Sequence, residues 1–98
     1  MTKHTLEVVE FRLNNNVEED AFITQISKTD AFLSSLNGFI KRNTAKNEDG
    51  LWIDIVEWQD MKSAKNAAEK FMTVAETKEF GAMIDHKTIR MEHFEVKT

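Results

Sequence analysis

Apolar and polar residues alternate through Leu51-Trp-Ile-Asp-Ile-Val-Glu-Trp58, the period of two expected of a half-buried strand. An Ala-rich segment follows at once. Ala64, Ala67, Ala68, Phe71 and Val74–Ala75 form a narrow stripe at helical spacing behind Asp60, a residue suited to an N-cap. Thr77 to Asp85 reads as a further helical stretch presenting Phe80, Met83 and Ile84, and a second alternating strand spans Ile89 to Val96. The first half of the chain carries the same plan, with a strand at Leu6–Leu13, a helix from about Val17 to Leu36 and a strand from Phe39 to Lys46. The order β-α-β-β-α-β defines an α+β sandwich built on an antiparallel sheet.

The breaks between elements carry their own signals. Asn14-Asn-Asn16 suits a strand-to-helix turn, with Asn16 as the expected cap of the helix and Glu18, Glu19 and Asp20 complementing its dipole. Phe22, Ile23, Ile26, Leu33 and Leu36 give that helix its apolar stripe, which leaves three alternatives at Thr29-Asp30: a continuous helix, an irregularity, or the cap of a second short helix. Lys46-Asn-Glu-Asp-Gly50 is a hairpin signal that pairs the second and third strands antiparallel. Gly38 ends the first helix, Gly81 falls in the tail of the second helical region, and proline is absent.

The strands have two apolar faces. The first offers Val9, Phe11 and Leu13 on one side and Leu6 and Val8 on the other; the third offers Leu51, Ile53 and Ile55 against Trp52, Val56 and Trp58. Helices in this topology cover one face, so the other calls for a further layer, and a second copy of the same sheet is the economical supplier. A symmetric homodimer is the expectation.

Composition narrows the function classes. At 98 residues the chain makes one domain, residues 1–98, and a core this small favours oligomerisation. Acidic residues number 17 against 13 basic ones, and Lys and Arg are scattered, which argues against nucleic acid or an anionic membrane as partner. The absence of cysteine removes disulfides, thiolate metal sites, iron–sulfur clusters and a Cys nucleophile together. The first residues lack the apolar core of a secretory signal, and no apolar run approaches the roughly 18 residues needed to span a membrane. The expectation is a soluble cytoplasmic protein.

Two polar residues on apolar strand faces are candidates for chemistry. His93 shares its alternate set with Ile89 and Met91, so its imidazole is either a general base or ligand hydrogen-bonder, or a satisfied structural histidine. Asp54 alternates with Trp52 and Val56, where a carboxylate is either catalytic with a raised pKa or paired with Arg42 or Arg90 across the sheet or a dimer interface. Trp52 and Trp58 are either stacking surfaces for a flat aromatic ligand or core. His86 reads as a solvated loop residue, and Asp85, His86 and His93 lack metal-ligand spacing, so no metal is expected.

Gly38-Phe39 after the first helix, a basic strand ending near Arg42, the strand Asp54-Ile-Val-Glu-Trp58, an Ala-containing helix, Glu79-Phe80 and a terminal strand together resemble the antibiotic-biosynthesis monooxygenase family. That family belongs to the dimeric α/β-barrel, or ferredoxin-like, superfamily. The resemblance covers nearly the whole chain through short motifs. It implies a homodimer whose sheets close into a barrel, and a ligand cavity in each protomer between sheet and helices. Trp52, Trp58, Arg42, Met91 and Phe80 are the candidate lining residues, with His93 and Asp54 as the catalytic candidates. It further implies oxidation of a small electron-rich aromatic such as a quinol or anthrone by O2, with no cofactor. The haem-degrading branch places a Trp on the second helix and an axial His after the Phe; here those positions fall at about Ala68 and Met83, so haem chemistry is not expected. Some sites of the family use a tyrosine, which this chain lacks. The alternative is a non-catalytic small-molecule-binding or stress-related protein on the same scaffold.

Overall fold

In the computed structural model, which describes residues 3–98, the chain runs β1 (Thr5–Leu13), α1 (Glu19–Ser34), β2 (Phe39–Lys46), β3 (Trp52–Trp58), α2 (Met61–Phe71), a 3-10 turn at Ala75–Thr77, α3 (Lys78–Ala82) and β4 (Ile84–Glu95). The four strands form one sheet in the order β2-β3-β1-β4, and every neighbouring pair is antiparallel. This is the ferredoxin-like α+β fold, in which β3 is inserted between β1 and β2.

Local chemistry explains most boundaries. Asp60 caps α2, its carboxylate accepting the Ser63 backbone N–H at 2.8 Å. Asn47 Oδ1 accepts the N–H groups of Asp49 and Leu51, closing the hairpin while Gly50 takes a φ of +84°. Gly38 also needs positive φ, +84°, and a Cβ there would meet the Ser63 Oγ at 2.4 Å, so β2 can start beneath the first turn of α2 only without a side chain.

Two expectations are corrected, for Asn16 and His86, and one alternative, at Thr29-Asp30, is decided. Asn16 does not cap α1: it adopts a φ of +75° in the turn, and the N-cap position falls to Glu18, which makes no side-chain cap bond. The cap position lies two residues further on, and Asn16 instead supplies the left-handed residue of the turn, a conformation Asn tolerates. α1 is one helix, because the Thr29 hydroxyl donates to the Ile26 carbonyl at 2.9 Å and so is satisfied without a break. β4 starts at Ile84, so His86 lies in a strand and not a loop. Between Glu10 and Arg12 the β1–β4 register shifts, and the Arg12 N–H donates to the Thr88 hydroxyl at 2.8 Å, so the strand accommodates extra residues as a bulge.

The helices bury one face of the sheet in two apolar clusters. Phe11, Phe22, Trp52, Phe80 and Ile84 form the first; Leu33, Val56, Trp58, Ala64 and Ala67 form the second. Small alanines on α2 allow its close approach to the sheet. The opposite face holds Leu6, Val8, Ile53 and Ile55, each partly buried, and Phe94 beside Leu6 is 46% exposed. Among the described residues no helix is long and apolar enough to cross a membrane.

Candidate functional site

Polar side chains run across the sheet beneath the helices, at the seam between the two apolar clusters. The strand registers bring Arg42 opposite Val56, Val56 opposite Glu7 and Glu7 opposite His93, so one level of the sheet reads Arg42, Val56, Glu7, His93. Asp54 stands one pleat further along β3, opposite Thr44 and Val9. Each of these side chains shares its strand face with core residues, which is why water is largely excluded from the row.

Arg42 is the best-connected residue in the row. Its side chain is 3% exposed and clamps Asp54 at two points, Nε to Oδ1 at 2.9 Å and Nη2 to Oδ2 at 2.7 Å. Nη1 donates to the Thr29 hydroxyl at 2.7 Å and to Asp30 Oδ1 at 2.9 Å, and the Thr44 hydroxyl donates to Asp54 Oδ1 at 3.1 Å. The guanidinium also lies over the Phe80 ring, 5.5 Å from its centroid. Burial works against the charge, but the bonds to Asp54 and Asp30 outweigh it and hold the Arg42 pKa above its ordinary value. Of the two partners the sequence offers for Asp54, the structure selects Arg42; Arg90 reaches Glu92 on the surface instead. Both carboxylate oxygens of Asp54 are thereby engaged by the Arg42 fork.

At the other end, His93 Nε2 and Glu7 Oε2 are 3.1 Å apart, with 19% and 12% of the side chains exposed. Burial pushes the Glu7 carboxyl up from its ordinary value; the His93 bond and charge pull it partly back, Asp54 adds to the rise and Arg42 opposes it. The row therefore sets two carboxylates, Glu7 and Asp54, against one permanent cation, Arg42, which the half-exposed Asp30 also reaches from α1.

The sequence-named residues separate into groups. Arg42 and Trp52 line a cleft of about 530 Å3 between α1 and β2, whose other walls include Ile23, Ile26 and Ala45. Lys46 bonds Glu19 across it and lies 5.9 Å over the Trp52 ring. Phe80 is buried behind Trp52 in the aromatic cluster, where both rings meet Phe11 and Phe22. Trp58 has no exposed surface, its Nε1–H finds no hydrogen-bond partner among the described residues, and its ring packs edge-on to Phe39. His93 and Met91 lie on outer strand β4, where Met91 is 46% exposed, away from the α1–β2 cleft. His86 is exposed and bonds the Gly81 carbonyl at 2.8 Å. Glu7 is the residue that sequence reasoning missed. Its signal was the same as for Asp54, since Glu7 alternates with Val9 and Phe11 on the buried face of β1. Among the described residues no group of three or more His, Asp or Glu side chains is arranged to hold a metal ion.

No family model matches the chain, and no curated protein does. Solved structures do match. A mutant of SnoaB, a cofactor-independent oxygenase from Streptomyces nogalater, aligns with a TM-score of 0.78 at 16% identity, over 97% of this chain and 94% of that one. A hydroxynitrile lyase from Passiflora edulis aligns with a TM-score of 0.71 at 9% identity, over 99% and 96%. A dimeric ferredoxin-like protein of unknown function from Jannaschia sp. CCS1 gives 0.71 at 12% identity, over 95% and 99%. At such identities the likeness establishes the fold. That fold carries an oxygenase and a lyase, so only the side chains of a site can choose between activities.

Proposed function

We propose that the protein is a homodimeric, cofactor-independent monooxygenase that oxidises a small electron-rich aromatic of the quinol or anthrone type with O2. The observation that carries this reading is the buried Glu7–His93 pair in a row with surplus negative charge. An imidazole there can take the proton from a phenol or enol, and the electron-rich anion then reduces O2 itself. For an anthrone, the ring CH2 becomes C=O and the second oxygen atom leaves as water. The protein's contribution is desolvation and positioning. The fold likeness to SnoaB supports the reaction class.

Self-association is supported by area. A folded monomer of 11.4 kDa exposes about 5,800 Å2 by size scaling, whereas this chain exposes 6602 Å2. The excess, about 800 Å2, matches the area each partner contributes to a standard interface. The uncovered sheet face with Leu6, Val8, Ile53, Ile55 and Phe94 is where we assign it, and the fold likeness to a protein from Jannaschia described as dimeric supports self-association as such.

A second reading is favoured by one observation: the space between sheet and helices is filled by two aromatic-rich clusters, and the described clefts lie along α1 and β2, away from His93. On that reading the protein binds a small molecule without turnover. An oxygen electrode separates the two. Uptake driven by wild-type protein with a panel of quinols and anthrones, and lost in His93→Ala, is the expected result; no uptake across a chemically broad panel moves the protein to the binding class.

A further inference from the structure

Glu7 lies buried opposite His93, and the base role given to His93 leaves the part of its carboxylate partner to be assigned. A carboxylate bonded to one ring nitrogen of a histidine decides which nitrogen carries the proton and which keeps its lone pair. Here Glu7 Oε2 meets Nε2 at 3.1 Å, and among the described residues Nδ1 has no hydrogen-bond partner. The groups surrounding the pair favour the arrangement. Asp54 and Arg42 act on Glu7 from β3 and β2, while the residues that α2 turns onto the two core clusters, Ala64, Ala67 and Phe71, are all apolar. Glu7 therefore has no competing donor from the helix layer, and its bond to His93 is the local interaction open to it.

We propose that Glu7 is the positioning residue of this site, its carboxylate accepting the Nε2–H of His93 so that the Nδ1 lone pair is left to take a proton from a bound substrate hydroxyl. This rests on the reading of His93 as base. In the step, the substrate O–H bond breaks and an Nδ1–H bond forms, giving phenolate and imidazolium. Glu7 stays ionised throughout and faces the new cation across the existing hydrogen bond. The carboxylate thus orients the ring before transfer and offsets the charge created by it. Without Glu7 the ring loses its anchor and the imidazolium its counter-charge.

The test begins with a spectrum of the unmodified protein and needs no turnover. The chain has three histidines, so a 1H–15N correlation of protein labelled at histidine nitrogens gives few signals, assigned by His4→Gln and His86→Gln. The expected result is a slowly exchanging Nε2–H signal for His93 at neutral pH, absent in Glu7→Ala and retained in Glu76→Ala, an exposed acidic control. A His93 proton found on Nδ1, or an Nε2–H signal unchanged in Glu7→Ala, overturns the proposal. Kinetics on an accepted substrate then separate positioning from binding. Glu7→Ala should lower kcat with KM little changed, by less than His93→Ala, whose loss falls within roughly 10²–10⁴-fold. If the variant is unstable, the wild-type tautomer still decides the assignment. Failure of oxygen uptake in wild-type protein with the Nε2–H signal present refutes the oxygenase and leaves Glu7 as the partner that sets the tautomer.

Discussion

Replacing Asp54 by alanine removes both acceptors that the Arg42 fork engages at Nε and Nη2 and leaves a guanidinium 3% exposed without its main counter-charge. Losing one partner of a buried pair costs about 3–5 kcal/mol, mostly through the charge left behind. The lower end applies here, because Asp30 keeps its bond to Nη1 and is itself 55% exposed, so some solvated counter-charge remains. A loss of about 3 kcal/mol lowers the midpoint of a domain this size by roughly 12–24 °C, which thermal and urea unfolding followed by circular dichroism will resolve. Arg42→Met combined with Asp54→Leu should recover most of the loss, since an apolar pair of similar volume needs no counter-charge. A drop below about 1 kcal/mol in Asp54→Ala, the range of an exposed ion pair, would refute the view of this pair as the closed clamp of the polar row. The same variant bears on chemistry: with Asp54 committed to Arg42, its effect on activity should track the loss of folded protein.

Three further outcomes are expected. Gly38→Ala should destabilise by more than about 2 kcal/mol in urea titration, combining left-handed backbone strain of about 1–2 kcal/mol with the Ser63 Oγ and Cβ contacts at 2.4 and 2.6 Å; adding Ser63→Gly should return only the contact part. Asp60→Ala should lower the midpoint at neutral pH, and because the Ser63 N–H holds the Asp60 pKa below 3.8, the difference should shrink as pH falls through that lowered value; a difference constant down to strong acid contradicts the cap. Burial raises the Glu7 pKa above 4.5, so its proton is bound more tightly folded than unfolded, and wild-type stability relative to Glu7→Gln should fall as pH rises from about 4.5 through the raised value; a difference that grows over that window has the wrong sign.

The parts of the fold that were legible are those set by neighbours in sequence. Asp49-Gly50 marked the hairpin, Asp60 marked the start of α2, and the alternation of Trp52, Asp54, Val56 and Trp58 identified the buried face of β3. Asn16 failed as a cap because the same side chain is suited to two structures, and the turn's need for positive φ won. The start of β4 was hidden because Ile84 and Asp85 pair with β1 beyond a bulge that takes up the residues between Asp85 and Arg90, and a bulge has no periodic signature. The site was half legible for a similar reason. Face parity pointed to Asp54 and His93, but their partners depend on register: Arg42 over Arg90 follows from the β2–β3 pairing, and Glu7 meets His93 across 86 positions of chain. Parity alone could not tell Trp52, on the cleft wall, from Trp58, sealed in the core.

Chemistry on the helix side of the sheet and self-association on the bare side form the central division of the molecule, and the solution mass tests it most directly. Light scattering across a wide concentration range should give twice the 11.4 kDa chain mass, with Ile55→Glu on the bare face shifting the protein toward monomer while the helix-side variant His93→Ala stays dimeric. A stable monomer of 11.4 kDa at all concentrations would contradict it, leaving the apolar face of Leu6, Val8, Ile53 and Ile55 without its proposed cover.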